Sequence, residues 1–314
     1  MIRVSIIMAV YNGAATISRA LDSAFAQRSA PEFEIIVAND GSTDATAEIL
    51  QRYAGRITVV EGEHRGNGPA RNRAIARAHG EYLAFLDADD VWLPDKLART
   101  VAVLDSDPGA MLVYSNALVV NEGGEVVRKY VRPDRAHAPT LAEMLGCRWP
   151  ILESMTVIRK AVLEAVGGFW EEPGAFRANG AYFIFLLVRE LGRFAYIDEP
   201  LVRYLAAPYP DFVTRDEEER NITIERLRQR YGRGAARSYR RGIMRDLRPV
   251  HAHHLGYMGL VAMSAGHTGQ ARRLFMRALI KQPLNLKNAL RLLRTFLPRQ
   301  VARSMTGRTG MRWN

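Results

Sequence analysis

Residues 80–93 read Gly80-Glu-Tyr-Leu-Ala-Phe-Leu-Asp-Ala-Asp-Asp-Val-Trp-Leu93, an apolar run that ends abruptly in three carboxylates. Tyr82 to Leu86 have the unbroken apolar character of a strand covered on both faces. That places Asp87, Asp89 and Asp90 at its carboxyl edge, where open α/β sheets bind their ligands. Three acids within four residues repel one another, and their carboxyl groups resist ionisation unless positive charge joins them. A hard dication such as Mg²⁺ or Mn²⁺ meets that need through oxygen ligands while keeping positions open for phosphate oxygens. The plainer reading of the same residues is a polar turn leading into a helix that begins near Pro94.

Upstream, three strand–helix pairs precede this strand. Val4 to Val10 is nearly all apolar, and Ile17, Ala20, Leu21, Ala24 and Phe25 fall on one face of a helix predicted from about Ala15 to Gln27. A strand from Phe33 to Ala38 ends in Asn39-Asp40-Gly41-Ser42. Gly41 suits a tight turn there, and Ser42 is positioned to cap a helix from Thr43 to about Tyr53. A short strand at Ile57 to Val60 follows. Pro69, after Gly66-Asn67-Gly68, then suits the first residue of a helix running to about His79. The order β-α-β-α-β-α-β is the sequence form of a doubly wound, mostly parallel α/β sheet of Rossmann-like type. The first strand leads into Ala9-Val10-Tyr11-Asn12-Gly13, with a single glycine. Neither a dinucleotide Gly-x-Gly-x-x-Gly nor a Gly-x-x-x-x-Gly-Lys-Ser/Thr phosphate loop is present. Any phosphate must be handled otherwise, and a metal on the acidic cluster supplies a means.

Beyond Trp92 the pattern predicts a helix from about Asp95 to Leu104, a strand near Met111 to Tyr114 and a hairpin through Asn121-Glu122-Gly123-Gly124. Further on it predicts a strand at Met155 to Ile158, helices near Lys160–Val166 and Tyr182–Leu191, and short strands at Phe194–Ile197 and Val202–Tyr204. From about Pro210 the chain reads as helices only, near 216–231, 234–246, 251–265, 269–281 and 284–296, with a helical hairpin spanning Gly259 to Pro283. Domains are therefore expected at 1–209 (halves 1–93 and 94–209) and 210–314.

With 314 residues, 48% of them hydrophobic and 25% charged, the chain is of ordinary globular composition, but its formal net charge is +11, concentrated after Arg215. A basic helical tail suits an anionic lipid surface, and a solvated helical face explains it as well. Nucleic acid is not expected, because the basic residues are not interleaved with regularly placed aromatics. The single cysteine, Cys147, has no disulfide partner within the chain and no companions at metal spacing, so it is expected in the core in a reducing compartment. Val4 to Val10 is too short for a signal peptide and no apolar run spans a bilayer. The expected location is cytoplasmic, with peripheral contact at the inner face of the cell membrane.

Several ordered pieces together resemble the metal-dependent, GT-A fold glycosyltransferases of family 2. They are Val4-Ser-Ile-Ile-Met-Ala-Val-Tyr-Asn-Gly13, Phe33-Glu-Ile-Ile-Val-Ala-Asn-Asp-Gly-Ser-Thr-Asp44 and Gly68-Pro-Ala-Arg71 through Asp87-Ala-Asp-Asp90. Gly167-Gly-Phe169 and Ala195-Tyr-Ile-Asp-Glu-Pro-Leu-Val-Arg-Tyr204 agree less closely. The resemblance implies a GT-A sheet with a helical extension and inverting sugar transfer from a nucleoside-diphosphate sugar to a saccharide or lipid-linked acceptor in envelope or exopolysaccharide synthesis. It implies that Val10 and Tyr11 border the base, that Asp40 accepts a hydrogen bond from it, and that Arg71 neutralises phosphate. Asp89 would be the direct ligand of Mg²⁺ or Mn²⁺, with Asp87 beside it nearer the ribose, Ala88 along the donor, and Asp90 a capping acid or one that supports the ligands from behind.

The chain departs from the family on the acceptor side. Gly180 and Ala181 stand where a catalytic Glu-Asp pair is usual, Phe183 where a further Asp is common, and Ala207 where a histidine would reach the diphosphate. An inverting transfer needs a base near the acceptor hydroxyl, and the nearest acids are Glu172, Glu171 and Glu153. The alternative is a pseudoenzyme that binds nucleotide sugar or a partner transferase. The helical region would either hold a membrane, pack on the catalytic domain, or form a homodimer.

Overall fold

The computed structural model describes residues 1–121, 123–146, 149–171, 180–205, 211–264 and 267–296. The first part alternates as expected through β1 (Val4–Val10), α1 (Ile17–Phe25), β2 (Phe33–Asn39), α2 (Thr46–Gln51), β3 (Thr58–Glu61), α3 (Asn67–Ile75) and β4 (Tyr82–Phe85). β1 lies between β2 and β4 and runs parallel to both, while β3 adds in parallel outside β2. Every residue of β1 and β4 is buried, which is why both read as unbroken apolar runs. The chain winds outward from β1 to β3 and returns across it to β4. The carboxyl ends of β1, β2 and β4 therefore open on the crevice that such a reversal creates.

The remainder of the sheet is built by β5 (Val91–Trp92), α4 (Lys96–Ser106), β6 (Ala110–Val120), β7 (Val126–Lys129), α5 (Leu141–Gly146), β8 (Thr156–Arg159), α6 (Lys160–Ala165), α7 (Gly180–Leu191) and β9 (Arg193–Leu205). The nine strands run in the order β3-β2-β1-β4-β8-β6-β9-β5, with β7 on β6. β8 is antiparallel to both β4 and β6, so this half is mixed where the first half is parallel. The hairpin turn closes with Gly124 at φ 78°.

Several expected elements change form. Ser42 does not cap α2; its hydroxyl accepts the Asn12 amide, joining the loops after β1 and β2. α3 begins two residues before Pro69. The two short strands expected at 194–204 are one strand, β9, whose register against β6 slips at Asn116 and so hides its alternation. α8 (Asp211–Ser264) is two helices meeting at a kink at Gly232, φ 80°, which agrees with the break expected between 231 and 234, but it runs on through Pro249, where a second break is expected. α9 (Thr268–Lys281) and α10 (Leu286–Arg294) follow.

Contacts group the chain into two compact units, Met1–Tyr239 and Arg240–Asn314. The first holds the sheet. In the second, Ala262, Ala271 and Phe275 form a small core joined by Leu260, Met263, Leu274 and Leu292. Gly259 faces the Phe275 ring so closely that a Cβ would lie 2.6 Å from it, which sets the helical hairpin expected there. Among the described residues no helix is long and apolar enough to cross a membrane.

Candidate functional site

Asp40 follows β2 directly and is buried at the sheet edge, its amide bonded to the Val10 carbonyl at 2.8 Å. Its carboxylate faces four donors: Arg73 Nη2 at 2.8 Å, the Gly66 amide at 2.7 Å, the Arg65 amide at 3.2 Å and His64 Nδ1 at 2.8 Å. Burial alone would raise its pKa, but these donors outweigh burial and hold the carboxyl below the usual range. His64 stacks on Tyr11, with ring centroids 3.7 Å apart and planes 18° apart. Tyr11 stays exposed, whereas Val10 is buried. Gly41 turns the chain at φ 73°, and a Cβ there would meet the His64 amide at 2.9 Å, so the turn needs glycine on both counts.

α3 ties three regions together through consecutive side chains that point about 100° apart. Arg73 reaches Asp40. Asn72 grips the backbone of Phe169 from both sides, donating Nδ2 to its carbonyl at 2.5 Å and accepting its amide at 2.8 Å. The buried Arg71 places Nη2 2.5 Å from Asp87 Oδ1 and Nη1 2.9 Å from Glu153 Oε1. Burial would lower the Arg71 pKa, but the two acids reverse that and raise it.

The acidic rim is thus braced from two sides. The Asp87 amide donates to Ser154 Oγ at 3.0 Å, and Trp92 Nε1 donates to the Ser154 carbonyl at 2.9 Å, fixing the rim to the 3₁₀ turn at Glu153–Met155. Ala88 sits beside the loop after β1, 3.7 Å from where a Cβ on Gly13 would lie. Asp89 is exposed, yet the surrounding protein and then the Asp87 charge push its carboxyl up to about 6. Solvent at the rim screens part of that rise. Asp90 is buried; its Oδ1 accepts the Leu205 amide at 3.3 Å, and its Oδ2 has no hydrogen-bond partner among the described residues. Burial, Asp87 and Asp89 raise its pKa well above the usual value.

These acids suit a hard cation in an open site, because an added positive charge would relieve the repulsion that raises Asp89 and Asp90. Among the described residues no set of three or more His, Cys, Asp or Glu side chains is arranged to hold a metal ion by itself. Two carboxylates plus substrate phosphate oxygens form the sort of site Mg²⁺ or Mn²⁺ takes.

Of the acids near the acceptor side, Glu153 is engaged with Arg71 and raised by burial. Glu171 accepts from Asn72 at 3.1 Å and pairs with Arg65 at 3.6 Å, so it lies on the Asp40 side. Gly180 and Ala181 open α7, whose first turn carries no acid. Glu172, Ala207 and Cys147 lie outside the described residues. Sequence reasoning missed His64, Asn72, Arg73 and Ser154. Arg71-Asn72-Arg73 was visible as a polar run on a helix predicted to pack on the sheet, and that pattern was the available signal for two of them.

The pattern of glycosyl transferase family 2 matches residues 5–166, which is more than half of the chain and takes in both Asp40 and the acidic rim. The chain belongs to glycosyl transferase family 2. It is 29% identical over 211 residues to the amylovoran biosynthesis glycosyltransferase AmsB of Erwinia amylovora, covering 64% of this chain and 68% of that one. It is 32% identical over 154 residues to an Escherichia coli protein, WfgD, named a UDP-Glc:alpha-D-GlcNAc-diphosphoundecaprenol beta-1,3-glucosyltransferase, covering 48% and 60%. Other curated relatives are matched over as little as 22% of their length. In fold, this family 2 chain is similar to residues 1–349 of S. aureus TarS solved with UDP-GlcNAc, at TM-score 0.57 and 18% identity over 94% of this chain and 90% of that one.

Proposed function

We propose that the chain transfers a sugar from a nucleoside-diphosphate sugar to a saccharide or lipid-linked acceptor hydroxyl, with inversion, in exopolysaccharide or cell-envelope synthesis. The observation that carries this reading is the meeting, at the carboxyl ends of β1, β2 and β4, of a buried acceptor of hydrogen bonds, an exposed aromatic face and an arginine-braced acidic rim. Asp40 serves a base N–H, Tyr11 beside Val10 offers the stacking face, Arg71 neutralises phosphate, Asp87 lies nearer the ribose and Ala88 lies along the donor. Asp40 is already fully used, so a base N–H must take the place of one donor. His64, on the Tyr11 face and half exposed, is the one that can swing out. A base would then occupy both the hydrogen bond and the stack that His64 holds.

Asp89 and Asp87 would hold Mg²⁺ or Mn²⁺, which when bound spreads the charge of the departing diphosphate. Arg71 holds Asp87 in place, and Asn72 holds the Gly167-Gly168-Phe169 turn against the donor side. Glu171 or Glu172 is proposed as the base for the acceptor hydroxyl. The similarity to AmsB and WfgD supports a polysaccharide product. The proposed location is the cytoplasmic side, with peripheral contact to the cell membrane.

The test is a thermal-shift panel of nucleoside diphosphates with and without Mn²⁺, joined to donor hydrolysis. A metal-dependent rise in Tm for one base, with slow diphosphate release lost in Asp89→Ala, supports the transferase. The acid-free first turn of α7 favours a second reading, a pseudoenzyme that binds nucleotide sugar without turnover. Metal-dependent binding with no release, even with cell-extract acceptors, selects it.

A further inference from the structure

α10 turns Leu292 toward the small core, but its most buried positions are polar: Asn288 is 1% exposed and the following Thr295 4%. Its outward positions are leucines: Leu286 is 71% exposed, Leu290 51% and Leu293 63%, followed by Phe296 at 59%. Hydrogen bonds lock this register. Asn288 donates to the Ala252 carbonyl at 3.3 Å, the Asn285 side chain caps the helix through the Asn288 amide, and Arg272 Nη2 donates to the Thr295 carbonyl at 2.6 Å. Rotation of α10 to hide its leucines would break the bonds to Ala252 and Arg272. α9 extends the same surface, since Met276 and Ile280 are exposed, and Leu284 between the helices is 97% exposed. Large apolar residues exposed in this number along one stretch of chain mark an interaction site.

The charges around it select the partner. Arg273, Arg277, Lys281 and Lys287 are all exposed among these apolar residues. Residues 247–314 contain 12 Arg or Lys and neither Asp nor Glu. A second copy of the chain laid on this face would set cations against cations. An anionic lipid surface accepts both parts at once, with leucine and phenylalanine in the acyl boundary and the cations at the headgroups. We propose that the α9–α10 surface is the site by which the protein docks in the plane of an anionic phospholipid bilayer, with Ile280, Leu284, Leu286, Leu290, Leu293 and Phe296 as the inserted residues. This deepens the peripheral-membrane clause of the proposed function and rests on it, but not on the donor chemistry.

The experiment uses the full chain and co-sedimentation with phosphatidylcholine vesicles, with or without about a third phosphatidylglycerol. The chain is expected to bind the anionic vesicles at least about tenfold more tightly than the neutral ones. Leu290→Glu with Leu293→Glu is expected to cut that binding by about tenfold or more. Both substitutions lie in solvent, and unchanged helicity by circular dichroism confirms the fold; Leu290→Ser with Leu293→Ser, which adds no charge, is expected to weaken binding less but in the same direction. Wild-type protein left in the supernatant with anionic vesicles, or binding indifferent to the substitutions, overturns the proposal. So does a dimer, seen by light scattering, that the Glu pair splits while no vesicle binding occurs. Nucleotide thermal shifts run in parallel separate the two readings: vesicle binding without any shift sinks the donor assignment alone.

Discussion

At Arg71 one guanidinium serves two carboxylates from different parts of the fold, Asp87 on the rim and Glu153 on the 3₁₀ turn. Arg71→Ala leaves both acids uncompensated, Glu153 in a nearly closed environment. A loss of about 3–5 kcal/mol is expected for a broken buried pair, toward the lower end because Asp87 still reaches solvent. Denaturant titration checks it, and Arg71→Ala with Glu153→Ala together should cost less than the two losses added. The Asp89 carboxyl is pushed up to about 6, so it is protonated below that pH and ionised above it. Protons and a dication then compete for the same oxygen. Mn²⁺-dependent nucleotide binding should weaken as pH falls from 7.5 through 6, and Asp89→Asn should leave binding weak at every pH, as calorimetry across that range would show. Flat binding down to pH 5 would remove Asp89 from the metal site.

Among the described glycines, the tightest approach to a neighbouring backbone is between the turn before β4 and the start of β1. A Cβ on Gly80 would lie 2.5 Å from the Ser5 amide nitrogen and 2.6 Å from the Val4 carbonyl carbon, and the Gly80 amide itself donates to Ser5 Oγ at 2.9 Å. These neighbours are mostly backbone and cannot yield cheaply. Gly80→Ala is expected to cost about 1–3 kcal/mol as an overpacking change, read as a lowered denaturation midpoint with an unchanged slope. The same region shows what was legible in sequence. β1, β2 and β4 are buried on both faces, so their apolar runs announced them, and the acids after β4 announced the rim. β9 was read as two pieces because its register against β6 slips around Asn116, where Asn116 bonds Asp198 in place of regular pairing. The helix expected after Ser42 starts later because Asp44 and Thr46 bond each other and Asp44 holds the Ala14 amide, which stitches two loops before the helix begins. The Asp44–Ala14 and Asn116–Asp198 contacts join residues 30 and 82 apart in the chain, and no local period reports them. His64 and Ser154 were hidden for the same reason: each acts through a partner from another strand–loop junction, Asp40 in one case and Asp87 in the other.

Across the whole molecule, the response of stability to pH is set by groups removed from water, and Lys96 is the largest of them outside the rim. It opens α4 fully buried, with Nζ 2.9 Å from the Met155 carbonyl and 5.7 Å from the centre of the Trp92 ring. Burial depresses its pKa to about 7, far below that of a lysine in the unfolded chain. Between pH 7 and 10 the unfolded state therefore holds a proton that the folded state has released, and stability rises with pH across that window. Full expression of the shift amounts to about 4–5 kcal/mol. The carbonyl and the Trp92 face both favour the ammonium and reduce that amount. The same side chain joins α4 to the turn that carries Glu153 and Ser154. Lys96→Met keeps the apolar stem and removes the titration. It should flatten the rise in unfolding free energy between pH 7 and 9.5, measured by denaturant titration with tryptophan fluorescence, while the metal-dependent nucleotide shift at pH 7.5 persists. A slope equal to that of the unmodified protein would mean that Lys96 stays charged where it is, held by the Met155 carbonyl and the indole face strongly enough to offset its burial.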